Sequence, residues 1–375
     1  MNGTLHAGVR RAARAEIITD EREFADLAQA WGRLYRRCAA ATAFQSHAWL
    51  HSWWLSYGTP GRLRLVVVRE GDELLAVAPL MRVRRPLPAL VPLGGAISDY
   101  ADVLLDDEHA DRAAELLTAG LSAAARTGLI DFREVRPGGA AERIYEHWRG
   151  PRRRLQDSLC LELPATSMDE LVNRLPSSKA QRVRAKLRKL TALGVEQRVV
   201  APDEVDLALR RLLELHALQW EGRKVTSEHL HERFSEHLVR SVGPMVRSGD
   251  AVVTEFRLDD TVMAVDLTLL SRRLAGGYLY GAHPRLRERK ADVAVILLDA
   301  CSRHTEAGGR GALSLLRGDE PYKRHWRPEP VVNQRLLLAR RRTAALMSAV
   351  VFDVAARRRG KELLRSWRER GGGGA

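Results

Sequence analysis

Apolar residues recur along the chain in two rhythms, the 3.6-residue spacing of helices and the two-residue alternation of strands. Phe24, Leu27, Ala28, Trp31 and Leu34 recur at helical spacing between residues 21 and 38. Ala48, Trp49, Trp53 and Tyr57 continue a second helix, which Ser46 is placed to cap. Residues 64–69 and 73–81 predict an antiparallel hairpin turning at Glu70-Gly71-Asp72. Residues 83–93 contain Pro86, Pro88 and Pro92 and are not expected to supply a central strand. A short strand at 103–105, a helix over 111–126 and a strand over 129–135 complete a first round. The aromatic stripe of the second helix reads as core.

A second round follows. A strand restarts at 159–163, and helices are predicted over 168–175, 178–193 (stopped by Gly194) and 205–220. Strands at 251–258, 262–270 and 275–283, a helix over 292–306 and a strand at 312–316 close it. Two copies of one helix-strand-helix-strand plan imply two tandem domains of an α/β (α+β) class, each a mixed, mostly antiparallel sheet flanked by helices. The expected divisions are a basic flexible lead-in over 1–20, a first domain over 21–157, a second over 158–335, and a basic helical tail over 336–375 ending in disordered glycines.

The 375 residues, 45% of them hydrophobic, suffice for two such cores. No run of eighteen apolar residues exists and the amino terminus has no apolar core segment, so a cytoplasmic protein is expected. Cys38, Cys160 and Cys301 lie far apart without zinc-ligand spacing, which argues against a disulfide framework and against a metal site. His229, His231 and His237 read as surface histidines on a helix. The net charge of +14 invites nucleic acid as a partner, but residues 335–375 carry +8 of it, so nucleic acid is not the leading expectation. That tail is apolar from Thr343 to Ala356 apart from Asp353 and bracketed by triple-Arg runs. It is too short to span a bilayer, and reads as a helix that packs on the body or lies at an anionic membrane surface.

Four features carry candidate chemistry. The loop after the last strand, Arg317-Gly318-Asp319-Glu320-Pro321-Tyr322-Lys323-Arg324-His325-Trp326, gathers carboxylates, a phenol, an ammonium and a guanidinium. It is either a salt-bridged turn closed by Trp326 or a site that binds an anion and moves a proton. Asp266 sits mid-strand with Ala264 and Thr268 on its face and needs a partner, with Tyr278, Tyr280 and Glu255 as candidates. It belongs to a structural hydrogen-bond set, or it is a base of raised pKa with a phenolic proton donor. His216 and Trp220 share one helix face with Leu209 and Leu213, as core or as binding residues. The helix from Ser178 carries a stripe of Arg182, Lys186 and Lys189, either solvated or beside a cleft.

The loop Arg317–Trp326, taken with Phe44-Gln45-Ser46-His47-Ala48-Trp49-Leu50, Ala78-Pro79-Leu80, Asp99-Tyr100-Ala101-Asp102 and the basic helix from Lys179, resembles the CelD/BcsL-type acetyltransferases of the GNAT superfamily. The resemblance runs from about Phe24 to Trp326. It implies a tandem GNAT-like architecture of the FemABX kind and transfer of an acyl group, acetyl from acetyl-CoA, to an amine or a sugar-linked acceptor in polysaccharide or cell-envelope synthesis. On this reading Asp266 or Asp319 removes a proton, and Tyr322 or Lys323 stabilises the oxyanion or protonates the thiolate. Arg317, Gly318, His216, Trp220, Tyr280, Asp99 and Tyr100 would line the acceptor cleft. Coenzyme A phosphates in such enzymes rest on a Gly-rich turn opening a helix. Here that turn has no glycine and offers Arg285, Arg287, Arg289 and Lys290, as phosphate contacts or as a solvated basic loop, with Asp292 placed to repel. The alternatives are a FemABX-like transferase drawing on aminoacyl-tRNA, whose basic helix and tail would meet RNA, and a non-catalytic GNAT-like scaffold.

Overall fold

Alternating apolar residues give the first half its strands. In the computed structural model, which describes residues 12–220 and 227–371, β1 (Arg14–Ile18), β2 (Leu63–Glu70) and β3 (Glu73–Val83) pair antiparallel. The turn between β2 and β3 places Gly71 at φ 63°, a conformation that costs a residue without Cβ little. Next come β4 (Ala89–Pro92), β5 (Leu104–Leu105) and β6 (Leu129–Val135). The helices of this half are α1 (Glu21–Asp26), α2 (Ala28–Arg37), α3 (His47–Tyr57), α4 (Ala110–Ala124) and α5 (Ala141–His147). Ser46 caps α3, accepting the Trp49 N–H at 3.3 Å, and Trp49 is fully buried.

The second half repeats the plan. β7 (Arg152–Pro164), the last strand of the first half, leads to α6 (Met168–Asn173), α7 (Ser177–Ala192), β8 (Glu196–Val199), α8 (Val205–Trp220) and α9 (Glu232–Ser248). Then come the meander β9 (Ala251–Leu258), β10 (Thr261–Leu270) and β11 (Leu274–Ala282), followed by α10 (Arg285–Glu288), α11 (Val293–Ala307), β12 (Ala312–Arg317), α12 (Pro321–Arg324), β13 (Glu329–Leu338) and α13 (Ala344–Gly371).

Among the described residues the strands form one sheet in the order β1-β2-β3-β4-β6-β13-β7-β12-β11-β10-β9-β8, with β5 paired to β3. The order reads alike from both ends. In each half a strand, a crossover helix and a parallel strand follow one another: β4-α4-β6 in the first, β11-α11-β12 in the second. The last strand of each half pairs with the other half: β7 lies against β12, β13 lies against β6, and the two pair with each other at the centre. One apolar core runs from the first half to α8 and α9, and a second lies under α6, α7 and α11 on the opposite face of β10–β12.

Several expectations need correction. Residues 14–18, placed in a flexible lead-in, pair with β2, and Asp20 caps α1 by accepting from the N–H groups of Arg22 and Glu23 at 2.8 and 2.9 Å; residues 1–11 lie outside the described residues. The proline-bearing stretch does enter the sheet, because only Ala89 and Leu90 must pair with β6, and Pro92 stands at the strand's end. His237 is buried against Trp49, with ring centroids 4.4 Å apart, and burial pushes its pKa down to about 3. His229 stacks on Phe234 at 4.6 Å; of the three histidines, His231 is the exposed one. The start of the tail helix packs on the body, burying Met347 with Leu346, Val350 and Val351 beside Leu129 and Leu337. Gly372–Gly374 lie outside the described residues. Among those described, no helix is long and apolar enough to cross a membrane.

Candidate active site

Polar and titratable side chains gather where β11 and β12 part. The two strands pair in parallel only at Leu274–Ala312, Ala275–Leu313 and Gly276–Ser314. Both strands carry an irregularity just there: β11 shifts register against β10 at Leu267/Thr268, and β12 shifts against β7 between Ser314 and Arg317. An extra residue bends a strand and re-aims its side chains, so two bulges at one level pull the strands apart. Leu316 takes a left-handed φ of 58°. A Cβ on Gly276 would approach Leu316 Cδ2 to 2.9 Å, so glycine is what lets this leucine fold back.

The parting opens a cavity of about 150 Å³ lined by Asp266, Gly277, Tyr280, Leu297, Cys301, Ser314, Tyr322 and Trp326. Asp266 is buried, and desolvation pushes its pKa up to about 7. Thr268 donates to its Oδ2 at 2.6 Å, and the Cys301 thiol, held protonated by burial and by this carboxylate, lies 3.9 Å from the same oxygen. Neither Glu255 nor Tyr278 is its partner. Glu255 faces the opposite side and binds Arg198 and Arg211, while the Tyr278 hydroxyl donates to the Ile97 carbonyl at 2.9 Å. Tyr280 pairs with Asp266 across the strands, and its hydroxyl accepts from Gln219 at 2.9 Å.

The loop after β12 is both brace and wall. Tyr322 and Trp326 face the cavity, with Trp326 buried in the second core. Lys323 is buried; its Nζ donates to the Arg317 carbonyl at 2.8 Å and pairs with Glu320 at 2.8 Å. Arg317 reaches into the first half, pairing with Asp99 at 2.8 Å and Glu134 at 3.4 Å, and Asn333 ties Glu134 to the Asp99 carbonyl. The Tyr100 hydroxyl bonds Ser314 at 2.8 Å, beside the cavity. Gly318 has φ 113°, and a Cβ there would meet the Glu320 carboxylate. Asp319 points away to an exposed ion pair with Arg324. His216 is buried, its Nδ1 donating to the Tyr280 carbonyl at 2.8 Å, so it positions β11. The side chain of Trp220 lies outside the described residues.

Two further cavities adjoin the first. One of about 290 Å³ shares Tyr322 and Trp326 with it and is lined by Lys179, Arg182 and Lys186 of α7; another of about 480 Å³ shares Tyr280 and is lined by Arg287. Asp292 stands between them. It caps α11 through the Val295 N–H at 3.2 Å and pairs with Lys186 at 2.6 Å, so its charge is matched rather than turned on a ligand. Arg285, Arg287, Arg289 and Lys290 are exposed around the short α10 and, like Lys179 and Arg182, have no carboxylate partner among the described residues. The donors suit a phosphate-bearing ligand running from the basic loop into the slot.

Gln219, Thr268 and Cys301 escaped sequence reasoning. Thr268 was legible as the neighbour of Asp266 on one strand face; nothing in the sequence pairs Cys301 or Gln219 with β10 and β11. Elsewhere Asp106, Glu108 and His109 bring three ligand atoms within 4.8 Å of one another, and Asp106 is already bound by Arg37 at 2.8 Å.

Residues 177–324 match the family model of the acetyltransferase (GNAT) domain. No curated protein sequence matches the chain. Among solved structures, FemX is similar over 86% of this chain and 96% of its own, at 11% identity and TM-score 0.57. The C-terminal domain of a putative lysylphosphatidylglycerol synthetase from Agrobacterium fabrum covers 88% and 97% at 13% identity and TM-score 0.54. L-PGS from Bacillus licheniformis covers 89% and 96% at 11% identity and TM-score 0.54. At such identities the likeness is one of fold. The chain therefore has the mixed α/β fold of these proteins, a large, mostly antiparallel sheet flanked by helices, with a match to a GNAT-type acetyltransferase domain over residues 177–324.

Proposed function

We propose that the protein is an acyltransferase of CelD/BcsL type, taking an acyl group, acetyl in the first instance, from acyl-CoA to an amine or a sugar-linked acceptor. The observation that carries this reading is a buried carboxylate, pushed up to about 7, facing a cavity that opens where two parallel strands part. An attacking amine must lose a proton and the departing CoA sulfur must gain one. A carboxylate titrating near neutrality is matched to the first task. Asp266 takes the proton from the amine, Tyr322 or Tyr280 supplies one to the thiolate, and the C–N bond forms as the C–S bond breaks. Arg285, Arg287, Arg289 and Lys290 receive the CoA phosphates at the mouth. Arg317, Gly318, Lys323, Asp99 and Tyr100 hold the wall; Asp319, turned outward, takes no part in this scheme.

On this proposal residues 158–335 carry the site, residues 21–157 buttress it, and the setting is the cytoplasm, where acyl-CoA is made. Calorimetric titration with acetyl-CoA tests it: the parent should bind one equivalent, and Arg287→Ala/Arg289→Ala should weaken that binding about tenfold. Absence of any heat would sink the reading. A second reading, transfer from aminoacyl-tRNA, is favoured by Lys179 and Arg182 on the groove, which have no carboxylate partner among the described residues, and by the fold shared with FemX. Binding of tRNA that falls steeply with salt would support it.

A further inference from the structure

A further concave surface lies in the first half, against the root of the tail. It is a cleft of about 670 Å³ walled by α4, by the turn after α5 and by the segment joining β13 to α13. Its wall is rigid. The Trp148 indole N–H donates to the Ala339 carbonyl at 2.8 Å, and a Cβ on Gly150 would lie 2.2 Å from that carbonyl oxygen. Arg149, Arg340, Arg341 and Arg342 all line it. Arg340 is engaged, donating to the Ser122 carbonyl at 3.3 Å. Arg149, Arg341 and Arg342 are exposed and have no carboxylate partner among the described residues, although Glu115 lines the same cleft.

Three like charges gathered at one concave surface repel one another, an arrangement that a bound anion relieves. The amino end of α13 adds its positive dipole end to the same place. We propose that the cleft binds a phosphate-bearing group of at least two negative charges, supplied by a small organic phosphate or by the headgroup of an anionic phospholipid, at a site separate from the acyl-transfer slot.

The test uses the full chain. Inorganic pyrophosphate is titrated while the Trp148 indole N–H resonance, assigned with Trp148→Phe, is followed, and vesicles of cardiolipin, whose headgroup carries two phosphates, in phosphatidylcholine are offered in parallel by flotation. Saturable movement of the resonance identifies a small phosphate as the source. Vesicle binding without that movement identifies the headgroup. In either case Arg341→Ala/Arg342→Ala and, separately, Arg149→Gln should weaken binding about tenfold or more, while Arg287→Ala/Arg289→Ala should leave it unchanged. Thermal unfolding of each variant confirms that it is folded. Failure to bind either probe, or binding indifferent to both cleft variants, overturns the proposal.

Discussion

Each half of the molecule buries an aspartate whose pKa is pushed up to about 7, and the two are used differently. Asp102, in the first half, accepts backbone N–H groups on both oxygens: Val103 at 2.8 Å, Ala141 at 2.7 Å and Ala140 at 2.7 Å. It staples the start of α5, and its lone pairs are spoken for. Asp266 receives one hydroxyl and one distant thiol and faces a cavity. The strands around them differ in the same sense. The gap where β4 and β6 part is closed by the chain's own loop, with the Ala101 N–H donating to the Glu134 carbonyl at 3.0 Å and Ile97 and Tyr100 buried there. Between β11 and β12 the equivalent gap stays open. A shifted pKa marks a buried carboxylate; unfilled lone pairs and open space beside it mark a site.

The largest effect that would break the comparison concerns the central strands. Ending the chain at Pro328 removes β13, which covers β6 of the first half as well as β7. Loss of cooperative unfolding is expected for the whole chain, monitored by circular dichroism and calorimetry; a first half that still melts cooperatively would separate the halves. Next, Asp266→Asn should lower transfer by about 10²–10⁴-fold. The parent's kcat/KM should rise with pH through about 7, and the variant should lack that limb. The stability sign follows from the same raised pKa. The folded protein holds a proton that the unfolded chain releases near 4, so this contribution is complete at low pH and is lost as pH rises through about 7. Asp266→Asn should therefore flatten stability across that window.

Asp102→Asn sharpens the contrast from the other side. It places an amide N–H against the Ala140 N–H and should cost about 1–3 kcal/mol by thermal unfolding, with transfer per folded molecule kept. Lys323→Met leaves the buried Arg317 carbonyl without its ammonium and should cost a similar amount, roughly 1–3 kcal/mol. Because Arg317 also binds Asp99, transfer should fall with it; stability unmoved beside lowered transfer would make Lys323 a chemical group rather than a brace. The smallest effect is expected at the basic loop, where Arg287→Ala should raise KM for acyl-CoA a few-fold at unchanged kcat.

Periodicity made α6, α7, α8, the meander β9–β11, α11 and β12 of the second half legible, because their apolar faces are continuous, while β8, α9 and α10 were not delimited as elements. It failed where pairing rather than pattern decides. β13 begins Glu329-Pro330 and was not among the expected strands, its end from residue 336 being assigned to the helical tail, yet it becomes a central strand because two other strands offer it edges. β4 is the same lesson with prolines at its flanks. At the candidate site, Asp266 was visible as a carboxylate on an apolar strand face, and the loop from Arg317 as a dense polar cluster. Their division of labour was not visible. Whether Lys323 points to solvent or to its own chain's carbonyl, and whether Asp319 turns inward, depends on a left-handed Leu316 and on an arginine anchored across the sheet.

The interleaved central strands also order events in time. During synthesis β6 is complete at Val135, but the strand that hydrogen-bonds its open side ends at Leu338. At ribosomal speeds of about 5–20 residues per second, that edge waits on the order of 10–40 s. An uncovered strand edge invites pairing with another chain, and arginines blunt such pairing. β7, which emerges next and waits beside it, opens with Arg152-Arg153-Arg154, the residues that later lie opposite Leu338, Leu337 and Leu336. The nascent first half thus presents charge at its unfinished margin until the carboxy-terminal strand arrives to close it.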